Sequence, residues 1–285
     1  MSKLKEIRKE FENILKDLKE EMLNNPQWIK DWSINLRNFI TKRSYSGINI
    51  LILSKTMTIK EHKIPFFITF KQVQKKGWKV RKGAKSYPIF FYKSIEKAIE
   101  KKYLDVDEEG NEVEKIEIKK ITIPILKKYH VFNMEDIEGD FEIESDEVKE
   151  PEWSKLLNNA KTYINIVYGN PAYYPAKHIV TMPHIKDFES IDAYFAALFH
   201  ELTHSTKKYL PRDLSYAEEE LVAELGSVFL CKHFNIEYPL SRHAGYLKSW
   251  GEKVEDKKFY TILKHAFKSM EFLLEKLETQ AALTV

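Results

Sequence analysis

Two imidazoles and a carboxylate recur at helical spacing in His200-Glu201-Leu202-Thr203-His204. Residues four apart on a helix share a face, so His200 and His204 can present two ring nitrogens to one cation. Glu201 sits one step round, where a carboxylate can take the proton of a water that the cation activates. This H-E-x-x-H spacing is the arrangement of zinc hydrolases. The alternative is a buried helix with two satisfied core histidines. It is costly, because buried polar groups need partners.

A catalytic zinc takes three protein ligands and keeps a fourth position open. Tyr216 to Cys231 supplies a second strongly helical run, in which Glu220 and Glu224 share a face with Ser227 and Tyr216. A Glu-x-x-x-Glu pair on a second helix is the gluzincin pattern. One carboxylate binds the metal and the other orients a ligand histidine. Glu220 is read as the ligand and Glu224 as the orienting partner, with the reverse assignment open. Glu218 and Glu219 read as solvated charges at the helix N-terminus. Further on, His243 and Tyr246 are candidate donors to the oxyanion of a tetrahedral intermediate.

These residues need elements to hold them. The run from Ile191 to Thr206 has no Pro or Gly, and its apolar spacing suits a buried helix capped by Ser190, with Asp192 near its positive end. The spacing predicts an amphipathic helix over Trp153–Tyr168 and a strand over His178–Met182. In zincins, an edge strand above the active-site helix can pair with an extended peptide. A closing amphipathic helix is predicted over 256–282.

The charge is divided along the chain. Residues 1–134 hold 29 Lys and Arg against 17 Asp and Glu, whereas the remainder holds 17 against 26. A basic front half and an acidic, metal-bearing back half point to two domains with different partners. The expected boundaries are 1–135, an acidic linker over 136–152, and 153–285. Hydrophobic content of 43% excludes global disorder. The single Cys231 excludes a disulfide framework and fits a reducing compartment. No signal peptide or membrane-spanning run is read, so the expectation is a cytoplasmic protein.

The front half reads as α+β. An amphipathic helix over 3–23 is expected to pack on its own domain, followed by a second helix bearing Trp28 and Trp32. A short helix from Thr69 to Lys76 closes at Gly77. A strand covers Tyr87–Tyr92, a helical extension Ile95–Tyr103, a turn Glu108–Glu112, and strands Val113–Ile123 and Tyr129–Asn133. Lys71, Lys75, Lys76, Lys79, Arg81, Lys82 and Lys85 can contact phosphates, and Tyr45, Trp78 and Tyr87 can stack bases. Sequence-independent binding of single-stranded DNA is the hypothesis this composition raises, and a solvated basic face on an ordinary domain is the alternative that stands beside it.

The chain resembles the antirestriction protein ArdC family over almost its whole length. The resemblance rests on Tyr45-Ser-Gly-Ile-Asn49, Phe67 to Gln72 with Gly77, Val80-Arg-Lys-Gly83 and Tyr129-His-Val-Phe-Asn133. In the back half it rests on Met182-Pro183, His200–His204, Tyr216-Ala217, Glu219–Glu224, and His243 with Tyr246 and Trp250. It departs at Ser205-Thr206-Lys207, where the family often has Trp-Thr-Gly. The resemblance implies an N-terminal single-stranded-DNA-binding domain and a mostly helical, gluzincin-like zinc metallopeptidase domain with a small edge sheet. It implies protection of incoming mobile DNA from restriction, with a protein substrate that could be a restriction-system subunit. Two rival functions are a DNA-coating protein with a structural zinc and a protease for proteins crosslinked to DNA.

Overall fold

The computed structural model describes residues 3–33, 35–106, 112–143 and 152–278. Helix α1 (Lys3–Asn24) and a 3-10 turn (Pro26–Asp31) lead into β1 (Arg37–Asn38), α2 (Ile48–Lys60), β2 (Phe66–Thr69), α3 (Phe70–Lys75) and β3 (Lys79–Val80). Then come β4 (Tyr87–Val106), β5 (Glu112–Asn133) and β6 (Ile137–Glu138). The back half holds α4 (Trp153–Tyr163), β7 (Asn165–Tyr168), β8 (Ala172–Tyr174), β9 (Ile179–Met182), α5 (Ile191–Ser205), α6 (Tyr216–His233), α7 (Leu240–Glu252) and α8 (Asp256–Glu278). The class is α+β, with an N-terminal half around the sheet β1-β2-β5-β4 and a C-terminal half of helices with the small sheet β7-β9-β8. Among the described residues, no helix is long and apolar enough to cross a membrane.

Four segments differ from the sequence reading. Residues 95–103 form a strand and not a helix, each paired rung by rung with 115–123. Their Glu, Lys and Ala favour a helix locally, but the β-branched alternation of the partner strand fixes the extended form. The expected helix over Trp153–Tyr168 stops at Tyr163, and Asn165–Tyr168 pairs in parallel with Ile179–Met182. Part of the expected acidic linker is folded: Ile137–Glu138 pairs with Lys79–Val80, and Phe141 packs on Phe39 and Trp78. Residues 144–151 of that linker, 108–111 of the expected turn and the end of the expected closing helix beyond 278 lie outside the described residues.

The fourth difference concerns α1, which crosses onto the other half. Phe11, Leu15, Leu18 and Met22 are buried in the same core as α5, α6 and α8. The Phe11 ring meets Phe90 at 5.1 Å and Tyr260 at 5.3 Å. Lys19 donates to the Val254 carbonyl and pairs with Asp256 at 2.8 Å. Each fully buried apolar side chain contributes about 1.5–3 kcal/mol, so this stripe joins the halves into one core. Within it, α5 and α6 pack closely because Gly226 faces Thr203; a Cβ at 226 would lie 2.5 Å from the Thr203 methyl carbon.

Candidate metal centre

Helix α5 starts where Ser190 accepts a hydrogen bond from the Ala193 amide at 3.0 Å. Helix α6 starts with a reciprocal cap between Ser215 and Glu218. Its apolar residues are buried nearly all round, which places the rest of its first turns against α5. The side chains of His200, His204 and Glu220 converge between the two helices, with one ligand atom from each within 4.8 Å of the others.

The separations test the fit to a metal. His200 Nε2 and His204 Nε2 are 3.2 Å apart, His200 Nε2 and Glu220 Oε2 3.5 Å, and His204 Nε2 and Glu220 Oε1 3.7 Å. Tetrahedral ligands at about 2.0–2.1 Å from zinc stand about 3.3 Å from one another. The three donors therefore already outline one face of such a site. Electrostatics agree. Burial alone would lower the His200 pKa, yet Glu220 and Glu224 beside it push it up to about 10. Positive charge is favoured at this point, and a divalent ion supplies it.

Each histidine has a carboxylate behind it. Glu224 is buried, with Oε1 3.6 Å from His200 Nδ1, an ion-pair distance and not a hydrogen bond. It accepts from Tyr238 Oη at 2.5 Å, and its Oε2 lies 3.0 Å from His243 Nδ1. Burial opposes its ionisation, but His200 and His243 hold it well below the ordinary carboxylate range. Glu219 stands behind His204, with Oε1 3.4 Å from Nδ1. Arg212 clamps Glu219 through two bonds of 2.8 and 2.6 Å and also donates to Thr206 Oγ1 and the Thr203 carbonyl. Burial opposes ionisation here too, and His204 and Arg212 hold the carboxyl down at about 2. Thr206 Oγ1 also meets Ser269 Oγ of α8 at 2.8 Å, and Ser205 Oγ meets Tyr163 Oη at 2.9 Å. The departure at Ser205-Thr206 thus builds a buried polar network behind the metal helix.

Glu218 and Glu219 correct the sequence reading, since both are buried and neither is a solvated charge. The Ser215-x-x-Glu218 spacing carried the signal for the cap. For Arg212, in an irregular connection after Pro211, the sequence offered none. Glu219→Gln should weaken divalent-ion affinity 10- to 100-fold, because an orienting carboxylate behind a ligand histidine generally contributes that much. It should also lower stability by about 3–5 kcal/mol, since Arg212 keeps its buried charge without its partner. Competition with a chromophoric chelator and thermal melting check both; unchanged affinity would remove Glu219 from the site.

A cavity of about 480 Å³ opens over the ligands, walled by Pro171, Ala172, Tyr173, Pro175, Glu201, Lys207 and Tyr216 among others. Strand β8, at the edge of its sheet, forms one wall. Burial raises the Glu201 pKa, partly offset by His200 and His204, which moves it toward the range of a general base. Tyr216 is 70% exposed on the rim, and its hydroxyl interacts with Glu220. His243 and Tyr246, expected as oxyanion donors, do not line this cavity. His243 is turned to Glu224, and Tyr246 is exposed beyond it.

The expected DNA residues divide in two. Lys71, Lys75, Lys76, Lys79, Arg81, Lys82 and Lys85 are all exposed. The aromatic candidates are not open platforms. Tyr45 is 5% exposed, packs on Phe67, and burial pushes its pKa to about 12. Trp78 is wedged between Phe39 and Phe141, and the Tyr87 hydroxyl is buried. Among the described residues, Phe70, Phe91, Tyr103 and Tyr129 are exposed rings of this half that the sequence reading did not name as DNA contacts.

Residues 5–132 match the family described as the N-terminal domain of anti-restriction factor ArdC. Residues 151–268 match the zincin-like metallopeptidase family MPTase-PolyVal. Two Escherichia coli proteins named DNA primase TraC are 29% identical over 285 and 281 residues, each alignment covering 88% of this chain. The chain spans only 25% and 19% of their lengths. The uncharacterized protein y4eC of Sinorhizobium fredii is 29% identical over 232 residues, covering 75% of this chain and 72% of its own. The metal-free crystal structure of the antirestriction protein ArdC from plasmid R388 superposes with a TM-score of 0.68 at 27% identity, covering 93% of this chain and 97% of that one. Its Mn(II)-bound structure gives 0.69 at 26% identity, covering 95% and 99%.

Proposed function

This chain belongs to the ArdC family of antirestriction proteins, and on that premise we propose a two-part activity. The N-terminal half binds single-stranded DNA, and the C-terminal half is a zinc metallopeptidase whose action protects incoming mobile DNA from restriction. The supporting observation is the triangle of His200, His204 and Glu220 at tetrahedral spacing, open on one side to a cavity that also holds Glu201. A site of two imidazoles and one carboxylate suits zinc. The antirestriction protein ArdC from plasmid R388 has a Mn(II)-bound crystal structure, which supports a divalent ion at a site of this kind.

When bound, the ion supplies a Lewis acid that acidifies water and polarises a carbonyl. Glu201 takes the proton from the attacking water and returns it to the leaving amine nitrogen. Its raised pKa suits both transfers. Glu219 and Glu224 hold the two imidazoles in their ligand orientation. Tyr216, with its hydroxyl at the cavity rim, is better placed than His243 or Tyr246 to donate to the oxyanion. The natural target would be a protein that meets the incoming strand, such as a restriction-system subunit in the cytoplasm.

The DNA half of the reading is tested with Lys79→Ala, Arg81→Ala and Lys82→Ala combined. A fluorescent thymidine oligomer should bind the native protein in a salt-dependent way. Losing three phosphate contacts should flatten the log–log salt dependence by roughly 2, at about 0.7 per contact for single strands. Metal content should stay at one ion per chain. An unchanged slope would place the DNA surface on another face.

A further inference from the structure

A second cavity, of about 290 Å³, opens at the seam between the halves. None of the metal-site residues lines it. Its walls come from the turn before α2, from β4 and from α8, and they include Gly47, Phe91, Tyr260, Lys264, Lys268 and Glu271. The seam is a built junction. Asn49 bonds the Phe90 backbone in both directions, accepting from its amide and donating to its carbonyl at 2.8 Å each. Gly47 turns with φ of 57°, and nothing lies within 4 Å of where a Cβ would stand, so main chain is open to a ligand here.

The chemistry of the lining selects a ligand. Lys264 and Lys268 are exposed, one helical turn apart, and present two cations to the same side. Glu271 offsets part of that charge from the next turn, and burial raises its pKa. At the mouth, Phe91 is 43% and Tyr129 44% exposed, their rings edge-on at 5.9 Å. Exposed Lys127 stands opposite Phe91 in register. Cations interleaved with uncovered rings in a concave seam match the alternation of phosphate and base along a single strand. A duplex hides its base faces and cannot use the rings.

We propose that this seam is a contact site for single-stranded DNA, with a phosphate held by Lys264 and Lys268 and a base stacked on Phe91. One strand then touches both halves of the protein at once. This rests on the DNA-binding reading given above and extends it to a helix of the peptidase half.

Binding of a labelled thymidine oligomer between 50 and 200 mM salt, with the full-length protein, tests it. Lys264→Gln with Lys268→Gln should weaken binding about tenfold or more and lower the salt slope by roughly 0.7, for the one phosphate the pair holds. Phe91→Ala should weaken binding roughly 5- to 100-fold with the slope unchanged, because a lost stack releases no counterion. Both variants should keep one divalent ion per chain, which shows that the fold persists. If the native protein binds no oligomer, the DNA reading fails and this site with it. If binding responds to Lys79, Arg81 and Lys82 but to neither seam variant, the seam proposal alone is overturned.

Discussion

Replacing His200 and His204 together with Ala should abolish divalent-ion binding, from one ion per chain to none. No other donor cluster of this geometry exists among the described residues. Two of the three ligands would be gone, and a lone carboxylate in water holds zinc weakly. Glu220→Gln should then weaken binding more than Glu224→Gln. The Glu220 oxygens lie 3.5 and 3.7 Å from the two Nε2 atoms, on the ligand side of the rings, whereas Glu224 faces His200 Nδ1 from behind. Elemental analysis after dialysis and chelator competition read both results. One ion retained in the double variant would refute the site, and the reverse order of the two Glu variants would make Glu224 the ligand.

Glu201→Gln should keep the ion and the DNA binding while peptidase activity falls by about 10²- to 10⁴-fold, the usual contribution of a positioned general base. Its carboxylate is neither a ligand in the triangle nor part of the basic face, so loss of the proton acceptor is the single change. The variant also separates the rival functions. If antirestriction survives Glu201→Gln but fails in the Lys79, Arg81 and Lys82 triple variant, coating of DNA suffices. If it fails in both, the strand brings the peptidase to its target. Cleavage confined to proteins crosslinked to DNA would instead favour the repair reading.

The convergence of His200, His204 and Glu220 was legible in the sequence, because helical spacing alone puts the two histidines and a Glu of α6 on facing surfaces. The sequence did not show what stands behind them. Glu219 reads as a surface charge until Arg212 arrives from an irregular connection, and no periodicity encodes that arrival. The basic face was legible as charge, yet which rings stand exposed beside it was not. Tyr45 looks like a DNA residue in a basic stretch, but a tyrosine is as much a core residue as a surface one, and here the core took it. Helix propensity misread 95–103 because strand pairing is a non-local decision. The same holds for α1, whose apolar stripe was plain but whose partner lay in the other half.

That partnership has a temporal side. Lys19 and the Val254 carbonyl it bonds are 235 residues apart. At roughly 5–20 residues per second of synthesis, α1 leaves the ribosome on the order of ten seconds or more before its docking surface exists. Its apolar stripe must wait, in solvent or in a chaperone's keeping. Helix α8, which emerges after the other described helices, carries both the surface that receives α1 and the Ser269 hydroxyl behind the helix of His200 and His204. Synthesis of α8 thus completes two distant parts of the molecule at one moment, the seat of α1 and the polar network behind the helix of His200 and His204.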